Sequence, residues 1–194
     1  MIGNRKGFTL IETLVALALF TVVVTVATDV FFMFQKTSRK TENLEKVVSS
    51  SKFIIERMAR EIRTGTIDYT KYGNQLNYLS SQGTLYLKNS SDQSVAFYVE
   101  DDSVACGSSP CFMLEVDGVG ENLTGAGLKV KNARFSISPE ADPFELDRET
   151  GEYLSNKQPM ATILLTIEND KQTNNSDYVS YEIQTTISSR VYRR

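Results

Sequence analysis

The residue whose position most demands a chemical explanation is Glu12. It lies four residues into the apolar run FTLIETLVALALFTVVVTVATDVFFMF (8–34), in which only Glu12 and Asp29 are charged. A carboxylate left charged among lipid chains costs roughly 2.5–3.5 kcal/mol or more, so an intramembrane carboxylate usually marks function and calls for a named cation. A second candidate is the pair in Cys106-Gly107-Ser108-Ser109-Pro110-Cys111. The CxxxxC spacing is not the CxxC redox motif, and one pair cannot build a four-cysteine zinc site. A tight turn through Gly107 and Pro110 predicts a local disulfide, and with it an oxidising compartment. Two reduced, inert thiols are the alternative. A third candidate is the insert 140–154 (EADPFELDRETGEYL), which gathers Glu140, Asp142, Glu145, Asp147, Glu149 and Glu152. Calcium needs 6–8 oxygen ligands, but the spacing is not an EF-hand loop. The insert reads as a solvated acidic loop, and no metal or other cofactor is assigned.

The rest of the composition narrows the function by exclusion. The chain of 194 residues contains no histidine, which removes Ser-His-Asp and Cys-His catalysis and every histidine-ligated metal site. No GxSxG nucleophile motif or phosphate loop occurs either, so the chain does not read as an enzyme. A formal net charge of −3 argues against a polyanion binder. Arg190, Arg193 and Arg194 make a small basic end, too few contacts to hold DNA at physiological salt. No nucleic-acid partner is expected.

The element that must position Glu12 is the apolar run itself. At ~1.5 Å per helical residue, 8–34 spans about 40 Å, against a hydrocarbon core of ~30 Å. Arg5 and Lys6 in the short basic stretch 1–7 should hold the N-terminus in the cytoplasm and send the bulk of the chain across. A secretory signal fits poorly, because Val26-Ala27-Thr28 is followed by Asp29 and further apolar residues. A buried core helix also fits poorly, because the run is apolar on every face. A plain signal anchor accommodates the run but has no use for Glu12. Cleavage after Gly7 would give Glu12 a purpose: it frees an α-amine on Phe8, a cation one helical turn away. That amine can pair with its own Glu12 or with that of a neighbour packed alongside.

Lys6-Gly7-Phe8-Thr9-Leu10-Ile11-Glu12, followed by a long apolar run, resembles the class III signal of type IV prepilins and type II secretion pseudopilins. The family pattern is a short basic leader ending in Gly, an aromatic first mature residue, and Glu at the fifth mature position. The resemblance implies that a membrane aspartyl prepilin peptidase cuts between Gly7 and Phe8 and methylates the new amine on Phe8. It implies that Glu12 serves assembly. It also implies partners: other pilin or pseudopilin subunits, the peptidase, an inner-membrane assembly platform and membrane lipid. Major pilins often carry a proline in the membrane helix, whereas the first proline here is Pro110. The stretch IIERMAREIRTGT is similar to the second half of the first helix in minor pilins and in the J-type minor pseudopilin.

With no glycine between Gly7 and Gly65, the helix should continue past Phe34. Leu44, Val47, Val48, Ile54, Ile55, Met58 and Ile62 paint one face at helical spacing, while Lys46, Lys52, Glu56, Arg57 and Arg60 lie mostly off it. Gly65 after Arg63 and Thr64 is a stop signal. The pattern predicts one helix over about 8–64, with a break near Lys36–Thr41 as the alternative.

From Gly65 the period changes to two. Leu85 and Leu87; Val95, Phe97 and Val99; and Phe112, Leu114 and Val116 each mark a strand with one buried face. Leu128 and Val130 change phase with Phe135 and Ile137, which predicts a bulge near Asn132. Ile163, Leu165 and Ile167 alternate in one run, and Val179, Tyr181, Ile183, Ile187 and Val191 in another over 178–192. The polar loop 169–177 should join these two as an antiparallel hairpin. The expected fold is α+β: one long N-terminal helix packed by its second half on an antiparallel sheet. The expected organisation is a cleaved leader (1–7), a transmembrane and filament-core half (8–34), an amphipathic half (35–64) and a globular β domain (65–194). The expected function is a structural subunit, a minor pilin or pseudopilin. It would be held in the inner or cytoplasmic membrane with its C-terminal domain outside the cytoplasm, then drawn into a pilus or pseudopilus. A membrane-anchored extracytoplasmic binding module that never joins a filament is the alternative.

Overall fold

The computed structural model describes residues 7–72, 83–107 and 110–191. The basic leader positions Arg5 and Lys6, Ser108 and Ser109 of the cysteine loop, and Arg193 and Arg194 lie outside the described residues.

Helix α1 runs without interruption over Leu10–Thr64, as a segment free of glycine and proline allows. It stops at Gly65, whose N–H donates to the Glu61 carbonyl at 2.8 Å. A Cβ at Gly65 would lie 2.5 Å from the Lys88 carbonyl oxygen and 2.8 Å from that of Glu61. Only glycine lets the chain turn so closely from the helix into the sheet.

The two halves of α1 differ in burial. From Phe8 to Phe34 every side chain is exposed, and the helix is long and apolar enough to cross a membrane. In the second half Val47, Ser51, Ile54, Met58, Ala59 and Ile62 are buried. Fully burying a side chain such as Ile54 or Met58 contributes roughly 1.5–3 kcal/mol. Leu44 departs from expectation. It is 44% exposed, and the small residues Ser51 and Ala59 complete the buried stripe instead.

The domain beyond α1 holds two antiparallel sheets where the sequence pattern suggested one. The first is a meander of five strands in chain order: β1 (Thr66–Ile67), β2 (Thr84–Lys88), β3 (Ser94–Glu100), β4 (Cys111–Val116) and β5 (Val119–Asn122). The second contains β6 (Leu128–Ser138), β7 (Met160–Asn169) and β8 (Ser180–Ser188), also in order. The register of β6 on β7 shifts between Val130 and Asn132, where the phase change predicted a bulge. Helix α1 packs on β7 and β8, and β6 touches β2, β3 and β4. Phe112 of β4 and Phe135 of β6 bring the sheets together, ring centroids 6.3 Å apart. Ile54, Met58, Phe97, Phe135, Ile163 and Leu165 all belong to one buried cluster.

The last apolar run overshoots its strand. Pairing ends with Met160 opposite Ser188, and the next buried position is held by Ser189, not an apolar residue. The Ser189 hydroxyl donates to the Gly65 carbonyl at 2.8 Å, so the chain leaves the sheet to close over the end of α1. Val191 is half-buried in the segment beyond the strand.

Candidate functional site

Gly7, Phe8 and Thr9 precede α1 in non-helical conformation. Gly7 is exposed with nothing within 4 Å of where a Cβ would stand, and Phe8 is 81% exposed. The Gly7–Phe8 peptide bond therefore lies in open chain ahead of the helix, where an enzyme can reach it. Thr9 is the N-cap, with φ −80° and ψ 151°. The Glu12 N–H donates to Thr9 Oγ1 at 3.3 Å and to the Thr9 carbonyl at 3.1 Å. Thr9-x-x-Glu12 has the spacing of a capping box, in which a hydroxyl satisfies an otherwise orphaned helix N–H. The sequence reading missed this cap although the signature was there. The first turn also presents the positive end of the helix dipole, which favours an anion at Glu12.

Above Glu12 the polar groups of the apolar half are answered within the helix. Thr13, Thr21, Thr25 and Thr28 donate their hydroxyls to the carbonyls of Leu10, Leu17, Thr21 and Val24 at 2.7–2.8 Å. A hydroxyl bonded in this way can face lipid without an unsatisfied donor. Glu12 and Asp29 are the exceptions: neither carboxylate has an ion-pair partner among the described residues. Chemically, the tip of α1 offers an accessible peptide bond and, among the described residues, a carboxylate without an ion pair, within about one turn of each other.

The cysteines are not part of that constellation. Cys106 and Cys111 are disulfide-bonded in the sheet domain, between the short helix α2 (Ser103–Cys106) and the start of β4. They pack with Met113 and Tyr98 in a small satellite core. The loop is tied down on both sides: Val130 N–H donates to the Pro110 carbonyl at 2.8 Å, and Asn122 Nδ2 to the Cys106 carbonyl at 3.1 Å. Its setting is structural, joining the meander to β6.

Two carboxylates of the acidic insert, Asp142 and Asp147, hold its own turns. Asp147 Oδ1 accepts from the N–H groups of Glu149 at 2.7 Å and Thr150 at 3.3 Å. Asp142 Oδ1 accepts from Phe144 N–H at 2.9 Å. Burial raises Asp142 above the usual carboxylate range; the Phe144 hydrogen bond opposes this, and the nearby charges of Glu145 and Asp68 add to it. Burial likewise pushes the Tyr69 phenol up, with Asp142 and Tyr72 adding to it. Among the described residues no group of three or more His, Cys, Asp or Glu side chains is placed to hold a metal ion.

Residues 2–28 match the family model described as the prokaryotic N-terminal methylation motif. The match covers Gly7, Phe8 and Glu12 and most of the apolar half of α1. No curated protein and no solved structure matches the chain.

Proposed function

We propose, for a chain that carries the prepilin-type methylation motif of the type IV prepilin and pseudopilin superfamily, the role of a minor structural subunit in a pilus-like or pseudopilus filament. The prepilin sits in the cytoplasmic membrane through the apolar half of α1. Its N-terminus faces the cytoplasm and its sheet domain the other side. Prepilin peptidase cuts Gly7–Phe8 and methylates the amine of Phe8. An assembly platform then draws the subunit into the filament, where the apolar half of α1 is buried among its neighbours.

The observation that carries this reading is the pairing of two facts. The helix half from Leu10 to Phe34 buries none of its side chains in its own domain, and the carboxylate of Glu12 finds no cation among the described residues. A neighbour supplies both the apolar contact and the amine. A subunit out of register leaves Glu12 or an amine unpaired at low dielectric, which is costly. Glu12 thus selects the correct register as well as stabilising it. The reading as a minor subunit is supported by the absence of proline before Pro110 and by the segment from Ile54 to Thr66.

Glu12→Ala tests this. Membrane insertion should persist, while recovery of the variant with sheared filaments or in a pull-down on a partner subunit should fall sharply. Wild-type recovery would remove Glu12 from assembly.

A further inference from the structure

We infer that α1 carries, just beyond its apolar half, a groove for the anionic headgroup of a membrane phospholipid, with Lys36 and Lys40 as its phosphate-binding groups. The inference rests on the membrane anchoring proposed above and names the lipid contact that sets the depth of the anchored subunit.

The level is right for a headgroup. From Leu10 to Lys36 the helix rises about 39 Å at ~1.5 Å per residue. A bilayer has a ~30 Å hydrocarbon core and measures ~40–45 Å with its headgroups. With Leu10 at one edge of the core, Lys36 stands at the outer margin of the far headgroup layer and Lys40 one turn beyond it, and both reach its phosphates by extending their long side chains back toward the membrane.

The shape is right as well. A groove of about 730 Å³ lies between α1 and the β7–β8 turn, lined by Lys36, Lys40 and Leu44 on one wall and Ser176, Tyr178 and Ser180 on the other. The second wall is fixed in place. Asn169, buried at the end of β7, donates through Nδ2 to the Asp177 carbonyl at 2.7 Å and accepts from Val179 N–H at 3.1 Å. Asn43 Nδ2 of α1 donates to the same Asp177 carbonyl at 3.2 Å. The turn is thereby pinned beside the helix, and its serines face a groove instead of collapsing onto α1.

The charge completes the case. Lys46, farther along α1, is taken by Glu42 at 2.8 Å, but Lys36 and Lys40 have no ion pair among the described residues. The carboxylates nearby are engaged elsewhere. Glu168 accepts from Tyr178 Oη at 2.6 Å and pairs with Lys129 at 3.3 Å; Asp177 accepts from the Ser176 hydroxyl at 3.3 Å. Two unanswered ammonium groups at a bilayer surface, with Ser180 on the opposite wall, fit a phosphodiester with net negative charge.

The test uses the full chain, co-floated with phosphatidylglycerol or phosphatidylcholine vesicles and then examined for retained lipid by native mass spectrometry from detergent. Wild type should retain phosphatidylglycerol in preference to phosphatidylcholine, and an equal concentration of inorganic phosphate should not displace it. K36A/K40A should bind phosphatidylglycerol about 30-fold more weakly, the effect of removing two lysines at an anionic surface. Arg39→Ala, which changes a cation at the same level outside the groove lining, should lose only about fivefold, the effect of one cation near an anionic surface. Equal retention by wild type and K36A/K40A, an Arg39→Ala loss as large, or displacement by phosphate would overturn the headgroup groove. Failure of the wild-type chain to float with either vesicle would instead overturn the anchoring on which it rests.

Discussion

Thr9 accepts the Glu12 N–H at 3.3 Å, so the second residue after the proposed cleavage point caps the helix on which Glu12 stands. The proposed cleavage point and Glu12 thus share one helical turn. Replacing an N-cap threonine by alanine costs about 1 kcal/mol. Thr9→Ala should accelerate amide exchange at Glu12 and Thr13 about fivefold in detergent micelles, while Thr9→Ser should restore the wild-type rate. Unchanged protection in the alanine variant would show that the cap contributes nothing to this turn.

The amphipathic half makes a contrasting pair. Ile54 is fully buried in the main core, and Ile54→Ala should cost about 2–5 kcal/mol of domain stability, the transfer term plus the cavity left behind. Ser51 is equally buried, but its hydroxyl donates to the Val47 carbonyl at 2.8 Å within its own helix. Ser51→Ala removes the donor together with the need for it and should change stability by less than about 1 kcal/mol. Urea denaturation of the full chain in micelles compares the two.

The acidic insert gives a pH prediction with a definite sign. Asp142 is raised by burial, so its proton is held more tightly in the folded than in the unfolded chain. Between the unfolded value and the raised folded value the native state binds more protons, and this group's contribution to stability declines as pH rises through that window. Asp142→Asn keeps the oxygen that accepts from Phe144 and removes the charge. It should be more stable than wild type at neutral pH, with the advantage shrinking on acidification. An advantage that grows toward acid would reverse the assignment.

What the sequence made legible follows the range of the interactions. The methylation motif over residues 2–28 could be read because it is contiguous and its signal lies in charge against an apolar background. The strand carrying Ile163, Leu165 and Ile167 could be read because one face is buried throughout. Strand β5 could not: Val119–Asn122 is exposed along its length. It exists because Asp117 and Gly118, both with positive φ, form the two-residue turn that returns the chain onto β4. That Asp-Gly signal was available and unused. The division into two sheets depends on pairings between distant segments, which periodicity does not encode. The Lys36–Lys40 groove was invisible for the same reason, since its other wall comes from residues 176–180.

The central claim is that this chain is a substrate of prepilin peptidase whose mature form begins at Phe8. Mass spectrometry of the N-terminal peptide from membranes, with and without a co-expressed prepilin peptidase, tests it most directly. The account predicts a peptidase-dependent chain beginning with N-methylated Phe8. A chain that keeps Met1–Gly7 in the presence of active peptidase would contradict it, and would leave α1 as an uncleaved anchor with Glu12 unexplained.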